Sequence, residues 1–246
     1  MFYYNIPVLV FKKVGLTPKE CINEQKKSRG VNYFHLGNLD PMAEGLLVLI
    51  PFAFRFLEGF LKNFKKEYYF SVLQGISTDS HDLLGLIINY DVNCSRITDK
   101  NFKEIIEKIK KQRLQSPPKI SYKNLNTQNK RINFLNGINL PNLPNKKVCI
   151  YSFDYIGHKV VHKNRLMSYI RANFRPLKND FRQKEIFEKY KSLYTKFPEN
   201  FIIYDFRVKV SSGFYIRSLV RDIGTILNIP LTVYKLKRTK IGFWRL

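Results

Sequence analysis

Between residues 206 and 227 the chain switches from one hydrophobic period to another, and that switch constrains its fold more than any other feature. Phe206, Val208 and Val210 alternate with Arg207 and Lys209, the two-residue repeat of a strand with one buried face. Ser211, Ser212 and Gly213 supply a turn. Ile216, Leu219, Val220, Ile223 and Leu227 then recur at the spacing of one helical face, with Gly224 a weak spot within it. A strand passing through a tight turn into a helix predicts a domain in which the two element types are interspersed. It also puts Arg217 in the helix's first turn, the charged member of an otherwise apolar turn.

The rest of the chain repeats this mixture. Residues 4–13 form an apolar strand ending at Lys12 and Lys13, and Thr17–Pro18 starts a polar, Lys-rich helix over 17–29. A Gly/Asn/Pro loop at 35–41 precedes the apolar run Gly45–Ile50, and residues 65–76 read as a strand rich in aromatic and branched side chains. Thr78–Gly85 is turn-like. Phe102, Ile105, Ile106 and Ile109 mark a helix capped by Thr98 or Asp99, and Pro117–Pro118 breaks the chain. Residues 124–147 are Asn-rich and loop-like, and Val148–Tyr155 is a further strand. The expected class is mixed α/β (α+β), with a central mixed or antiparallel sheet flanked by helices and loops.

Charge narrows the function. Among 246 residues, 43 Lys and Arg face 19 Asp and Glu, a formal net charge of +24. Such a surface repels itself and calls for a polyanionic partner, most simply a phosphate backbone. Part of the excess reflects a composition rich in Lys, Asn, Ile, Phe and Tyr. Residues 157–200 alone carry 11 basic and 4 acidic side chains, 11 − 4 = +7, with Tyr169, Phe174, Phe181, Phe187, Tyr190, Tyr194 and Phe197 interleaved. A solvated helical insertion and an RNA-contacting surface both fit that pattern. Cys21, Cys94 and Cys149 lack metal-ligand spacing, and three thiols suit a reducing compartment. His158 and His162 have no supporting ligand motif, so no metal is expected. No run is long enough for a membrane span, and the apolar opening has no cleavage signature.

By itself Asp40, lying before a proline, reads as a turn residue. Six segments taken in order change that reading. HLGNLDPMAEGLLVL at 35–49 resembles the catalytic segment of the bacterial TruB-type tRNA pseudouridine-55 synthases, roughly GHxGxLDPxAxGxLxx, with His35, Gly37, Leu39, Asp40, Pro41, Ala43 and Gly45 in register. Lys66-Glu67-Tyr68 is similar to the family's KxY strand, and Thr78 to Asp82 with Gly85 to its TDTxDxxG segment. Gln115-Ser116-Pro117-Pro118 with Ser121 resembles QxPPxxS. Ser212 to Arg217, then Leu219, Asp222 and Gly224, resembles SxGTYIRxLxxDLG. Leu236, Arg238, Thr239 and Gly242 resemble LRRTRxG.

The resemblance implies the pseudouridine synthase catalytic fold over 1–246, interrupted by the basic insertion at about 157–200 and without a C-terminal PUA domain. It implies an isomerase that flips a T-loop uridine out of its stack and returns the ring to ribose through C5. The reaction involves no hydrolysis or redox change and needs no cofactor. Asp40 would be the nucleophile, a role in which a carboxylate divides one hard step into two. Arg217 would hold it ionised in a two-bond fork. Tyr68 would stack on the base and assist proton movement at C5. Leu236 would pack on the base's other side, Tyr215 would support the pocket, His35 would fill the space left by the flipped nucleotide, and Asp82 and Ser121 would line the base pocket. Lys119, Lys123, Lys130, Arg131, Lys237 and Arg238, beside the matched segments, are candidate phosphate contacts. The expected partner is the T arm of tRNA, with no membrane or metal, and the expected form a cytoplasmic monomer, an organelle remaining open.

Three segments depart from the family pattern. The insertion separates strands that usually follow one another, NTQNKRINFLNG at 126–137 lacks the usual Tyr and Arg spacing, and VFKKVGLTPKE at 10–20 is a degraded DKPxGxTS. Two alternatives therefore accompany the leading one: a tRNA-binding chaperone with little or no catalysis, and a related synthase with another RNA target.

Overall fold

The computed structural model describes residues 6–91, 93, 95–118, 120 and 144–246. In chain order its elements are β1 (Val8–Lys12), α1 (Pro18–Arg29), β2 (Tyr33–His35), β3 (Ala43–Pro51), α2 (Glu58–Lys62), β4 (Lys66–Gln74), β5 (Ile76–Thr78), β6 (Ile87–Tyr90), α3 (Asp99–Lys110), β7 (Leu114–Gln115) and β8 (Lys146–Lys147). They continue with β9 (Ile150–His162), α4 (Lys163–Phe174), α5 (Gln183–Ser192), β10 (Asn200–Val210), α6 (Ile216–Leu227), β11 (Leu231–Ile241) and β12 (Trp244–Arg245). The main sheet runs β1-β3-β11-β4-β10-β9, with β2 added to β3 and β12 to β11. Its pairs are antiparallel except β3–β11, which run parallel through Ala43, Glu44 and Gly45 opposite Leu236, Lys237 and Arg238. The sheet is therefore mixed, as the sequence leads one to expect.

Strand parity divides the core. On β10, Tyr204, Phe206, Val208 and Val210 share one face, which packs with Phe70 and Val72 of β4 against Phe102, Ile105, Ile106 and Ile109 of α3 and Leu219, Val220 and Ile223 of α6. Phe201 and Ile203 have the opposite parity and join Leu166, Ile170 and Phe174 of α4 and Ile186 and Tyr190 of α5. The run Leu46–Ile50 is buried throughout, because β3 is covered on both faces. That is why it reads as a continuous apolar stretch rather than an alternation.

Helix ends follow their caps. Thr17 and Glu20 form a capping box at the start of α1, with the Thr17 backbone N–H donating to Glu20 Oε2 at 2.7 Å, and Pro18 fills the first turn. Thr98 and Asn101 do the same for α3.

The region 157–200 is not helical throughout. Residues 157–162 continue β9 as sheet, and helices occupy only the later part, α4 and α5. The cause is a bulge: Tyr155 pairs with Phe206 but Gly157 with Asp205, which leaves Ile156 as an extra residue. The alternation of 148–155 therefore breaks although the strand goes on.

Candidate active site

Asp40 sits in the connection from β2 to β3, with Leu39 and Ala43 anchored in the core on either side of it. Two neighbours fix this connection. The Arg238 guanidinium on β11 donates from Nε to Leu46 O at 2.9 Å, from Nη1 to Asn38 O at 3.0 Å and from Nη2 to Gly37 O at 3.2 Å. From the other side Gly15 N–H donates to Pro41 O at 2.9 Å. Gly45 permits the close approach of β11: its φ is +114°, and an added Cβ would press on the Arg238 backbone.

Arg217 reaches Asp40 from the first turn of α6. Nη2 lies 2.7 Å from Asp40 Oδ2, with the arginine side chain 5% and the aspartate 22% exposed. Nη1 donates to Ser80 O at 2.9 Å and to Ile120 O at 2.8 Å, and Nε is 3.6 Å from Asp82 Oδ2. One buried guanidinium thus serves two carboxylates and two carbonyls, and it holds Asp40 by one nitrogen rather than by the expected two-bond fork, because its other nitrogens face Ser80, Ile120 and Asp82. Burial works against its charge, but Asp40 and Asp82 outweigh that and raise its pKa above the ordinary arginine value. For Asp82 burial wins: its carboxyl is pushed up despite Arg217 and the Ser80 hydroxyl, which donates to it at 2.7 Å.

The start of α6 is held by Gln115, whose side chain accepts from Tyr215 N–H at 2.8 Å and donates to Tyr215 O at 3.0 Å. Asp82 lies in the turn between β5 and β6. That turn closes around Gly85, where a Cβ would collide with the Ser80 hydroxyl and the Asp79 carboxylate. His81 O accepts from Val233 N–H at 3.0 Å, tying the turn to β11. Burial drives the His81 pKa down to about 4, so the ring is neutral near pH 7.

Asp40, Asp82, Arg217 and Ala43 line a cleft enclosing about 260 Å³, its open mouth included. Its other walls are Met42 and the β11 residues Val233, Tyr234, Lys235 and Leu236. Strict alternation would turn Val233 and Leu236 to opposite faces. A bulge prevents this: Val233 pairs with Val72 and Lys235 with Ser71, so Tyr234 is the extra residue and Leu236 returns to the side of Val233.

The expected site residues fall into three groups. Asp40, Arg217, Asp82 and Leu236 meet at the cleft. Tyr68 is 8% exposed and belongs to the apolar cluster that contains Leu39, Ala43 and Leu236, but it is not among the lining residues. Tyr215 acts through its backbone at the helix start, and Lys146 Nζ stands 5.4 Å from its ring centroid. His35, on β2, is a half-buried ring whose charged neighbours are Arg238, Lys62 and Glu58, and burial lowers its pKa. Lys237 is half-buried, with its Nζ 5.6 Å from the centre of the Phe11 ring. Arg238 requires a correction. Expected on a phosphate, it is 0% exposed and bound to three carbonyls, so its role is to brace the Asp40 connection. Lys119, Ser121, Lys123, Lys130 and Arg131 lie outside the described residues.

Sequence reasoning missed Lys12. It is fully buried, donates to Leu16 O at 2.7 Å and to Lys13 O at 3.1 Å, and has its pKa lowered to about 8 by burial, against the pull of Cys21 and Asp40. The hint was a lysine ending an apolar strand. Tyr234 and Lys235 were also missed, since the bulge in β11 brings them to the cleft, and so was Met42, two residues after Asp40 in the same connection. No group of three or more His, Cys, Asp or Glu among the described residues could hold a metal ion. No helix among them is long and apolar enough to cross a membrane.

Comparison with known proteins bears on the family and the fold. Residues 31–173 match the model of the TruB family pseudouridylate synthase N-terminal domain. The chain is 30% identical over 239 residues to the tRNA pseudouridine synthase B of Mycoplasma mobile, covering 96% of this chain and 68% of that protein. It is 28% identical to the proteins of the same name from Oceanobacillus iheyensis (95% of this chain, 64% of that one) and Aquifex aeolicus (95% and 67%). It therefore spans about two-thirds of the length of these relatives. Among solved structures, a Cbf5–Nop10–Gar1 complex superposes with a TM-score of 0.57 at 18% identity, over 97% of this chain and 49% of that one. An H/ACA RNP bound to a substrate RNA containing 2′-deoxyuridine gives 0.56 at 17% identity, over 98% and 49%. At that identity the likeness is one of fold. The chain belongs to the TruB family of pseudouridylate synthases, which are isomerases.

Proposed function

We propose that the protein isomerises a uridine in the T loop of tRNA, position 55, to pseudouridine, with Asp40 as nucleophile. The supporting observation is the pairing of Arg217 with Asp40 at 2.7 Å on a cleft whose far wall includes Leu236. The relatives' name, tRNA pseudouridine synthase B, supports the substrate class. The net charge of +24 supports a phosphate-rich partner.

Isomerisation breaks the bond from N1 of uracil to the ribose and forms one from C5, so N1 gains a proton and C5 loses one. Extruding the base costs on the order of a few kcal/mol, which basic side chains on the flanking phosphates offset. Arg217 holds and aims Asp40, and because that guanidinium is already buried and bonded, little reorganisation accompanies attack. Leu236 packs on one side of the base and Asp82 borders its polar edge. Tyr68 packs behind the cleft in the apolar cluster with Leu39, Ala43 and Leu236 and is the candidate to move the C5 proton. Lys237, half-buried in the middle of β11, is the remaining described candidate for a phosphate contact.

The test is to incubate the purified protein with an unmodified tRNA transcript and map pseudouridine at nucleotide resolution. The expected result is one new pseudouridine, in the T loop. Modification confined to another site would assign the enzyme a different RNA target, and RNA binding without any pseudouridine would make it a chaperone.

A further inference from the structure

The connection between β9 and β10 does more than cover the sheet, because it touches the cleft wall at one place and the turn that carries Asp82 at another. On α4, Leu166, Ile170 and Phe174 form the buried stripe, and Tyr169 stands on its flank. The Tyr169 ring stacks on that of Tyr234, centroids 4.3 Å apart and planes 23° from parallel. Tyr234 is both a cleft wall and the extra residue of the β11 bulge. A bulged residue lacks the ladder partner that would fix its backbone, so something else must hold its side chain. Here that is a ring carried by α4. The second contact is at the head of α5, where Arg182 Nη2 lies 2.8 Å from Asp79 Oδ2, with side chains only 10% and 20% exposed. Asp79 also accepts from Leu86 N–H at 3.0 Å and precedes Ser80, whose carbonyl takes the Arg217 guanidinium.

We propose that α4 belongs to the catalytic apparatus, with Tyr169 a positioning residue that fixes Tyr234 and so the cleft wall against which the extruded uracil is held opposite Asp40. The inference rests on the isomerase reading given above and adds to it a positioning role for a segment remote in sequence from every matched motif. Tyr169 touches neither Asp40 nor the base; it acts through Tyr234. Its loss therefore lowers turnover with the RNA saturating, while phosphate contacts keep overall RNA affinity. An aromatic pair of this geometry corresponds to a roughly 3- to 10-fold effect.

The experiment compares single-turnover pseudouridine formation at saturating tRNA transcript in the wild type, Tyr169→Phe, Tyr169→Ala, Tyr169→Leu, Tyr234→Ala and the double variant Tyr169→Ala/Tyr234→Ala. RNA affinity and thermal melting are measured alongside. Tyr169→Leu fills the volume without a ring, so it retains the comparison should the alanine variant fold poorly. We expect about a 3- to 10-fold slower step for both Tyr169→Ala and Tyr169→Leu, RNA affinity within about twofold, and most of the rate restored in Tyr169→Phe. The double variant should be no slower than the slower single one, because the two rings act as one unit. Wild-type rates in both ring-less variants, or a double loss equal to the product of the single losses, would overturn the proposal. A wild-type protein that forms no pseudouridine would overturn the isomerase reading too, whereas an active wild type with additive variants sinks this inference alone.

Discussion

Replacing Arg217 by lysine keeps the charge and removes the spread of guanidinium donors, which makes it the sharpest probe of how the site is built. The guanidinium divides its work: Nη2 meets Asp40 at 2.7 Å, Nη1 meets the carbonyls of Ser80 and Ile120 at 2.9 and 2.8 Å, and Nε faces Asp82 at 3.6 Å. A single ammonium cannot reproduce that spread. It retains one or two of the close contacts and leaves the others buried and unmet, at about 1–3 kcal/mol each. The expected loss of stability is about 2–4 kcal/mol, at and below the lower end of the range for breaking a buried ion pair outright, because the charge is kept. In urea, at an m value of about 2–3 kcal/mol per molar, that is a midpoint lower by about 1 M. Activity should fall further than stability implies, because a carboxylate displaced by about 1 Å forfeits about 100-fold in rate. RNA affinity and its salt dependence should barely change, since the net charge is the same and Arg217 is 5% exposed. Urea titration, single-turnover kinetics and RNA binding on one preparation check all three. A variant turning over within fivefold of wild type with an unshifted midpoint would refute the claim that the guanidinium organises the site.

Arg238→Met should cost about 3 kcal/mol or more by orphaning three buried carbonyls, and should slow catalysis by loosening the Asp40 connection. It should leave the salt slope of RNA binding unchanged, where loss of a phosphate contact would lower that slope by about 1; a salt titration decides. Lys12 gives a pH signature. Its folded pKa of about 8 lies below the ordinary 10.5, so the unfolded chain binds the proton more firmly. The destabilisation is complete below pH 8 and is relieved as pH rises from 8 towards 10.5. Wild-type stability should therefore gain about 2 kcal/mol from this group between pH 7.5 and 9.5. Lys12→Met should lack that increment in urea unfolding, and parallel pH profiles would contradict the burial argument.

What the sequence revealed depended on range. β10 and α6 were legible because one local period gives way to another, and Arg217 follows from its place in that helix. β3 showed as an apolar run because both its faces are buried. The Asp40–Arg217 pair was found through a family pattern that carries long-range information, not through local chemistry, in which Asp40 is only a turn residue. The failures have a common cause. The bulges at Ile156 and Tyr234 shift parity by one, so the first hid the continuation of β9 and the second hid which β11 side chains line the cleft. Arg238 looked like surface charge, because a Lys-Arg pair in a strand does not disclose which member points inward. The stack of Tyr169 on Tyr234 joins residues 65 positions apart, beyond any local pattern.

The claim on which the rest depends is that the Asp40 carboxylate attacks the extruded nucleotide. Single-turnover pseudouridine formation by Asp40→Asn, with tRNA binding measured on the same sample, tests it most directly. The side chain keeps its size and Arg217 keeps its two carbonyls, so folding and RNA affinity should hold within about threefold while isomerisation disappears. Pseudouridine formed by that variant at anything near the wild-type rate would contradict the account.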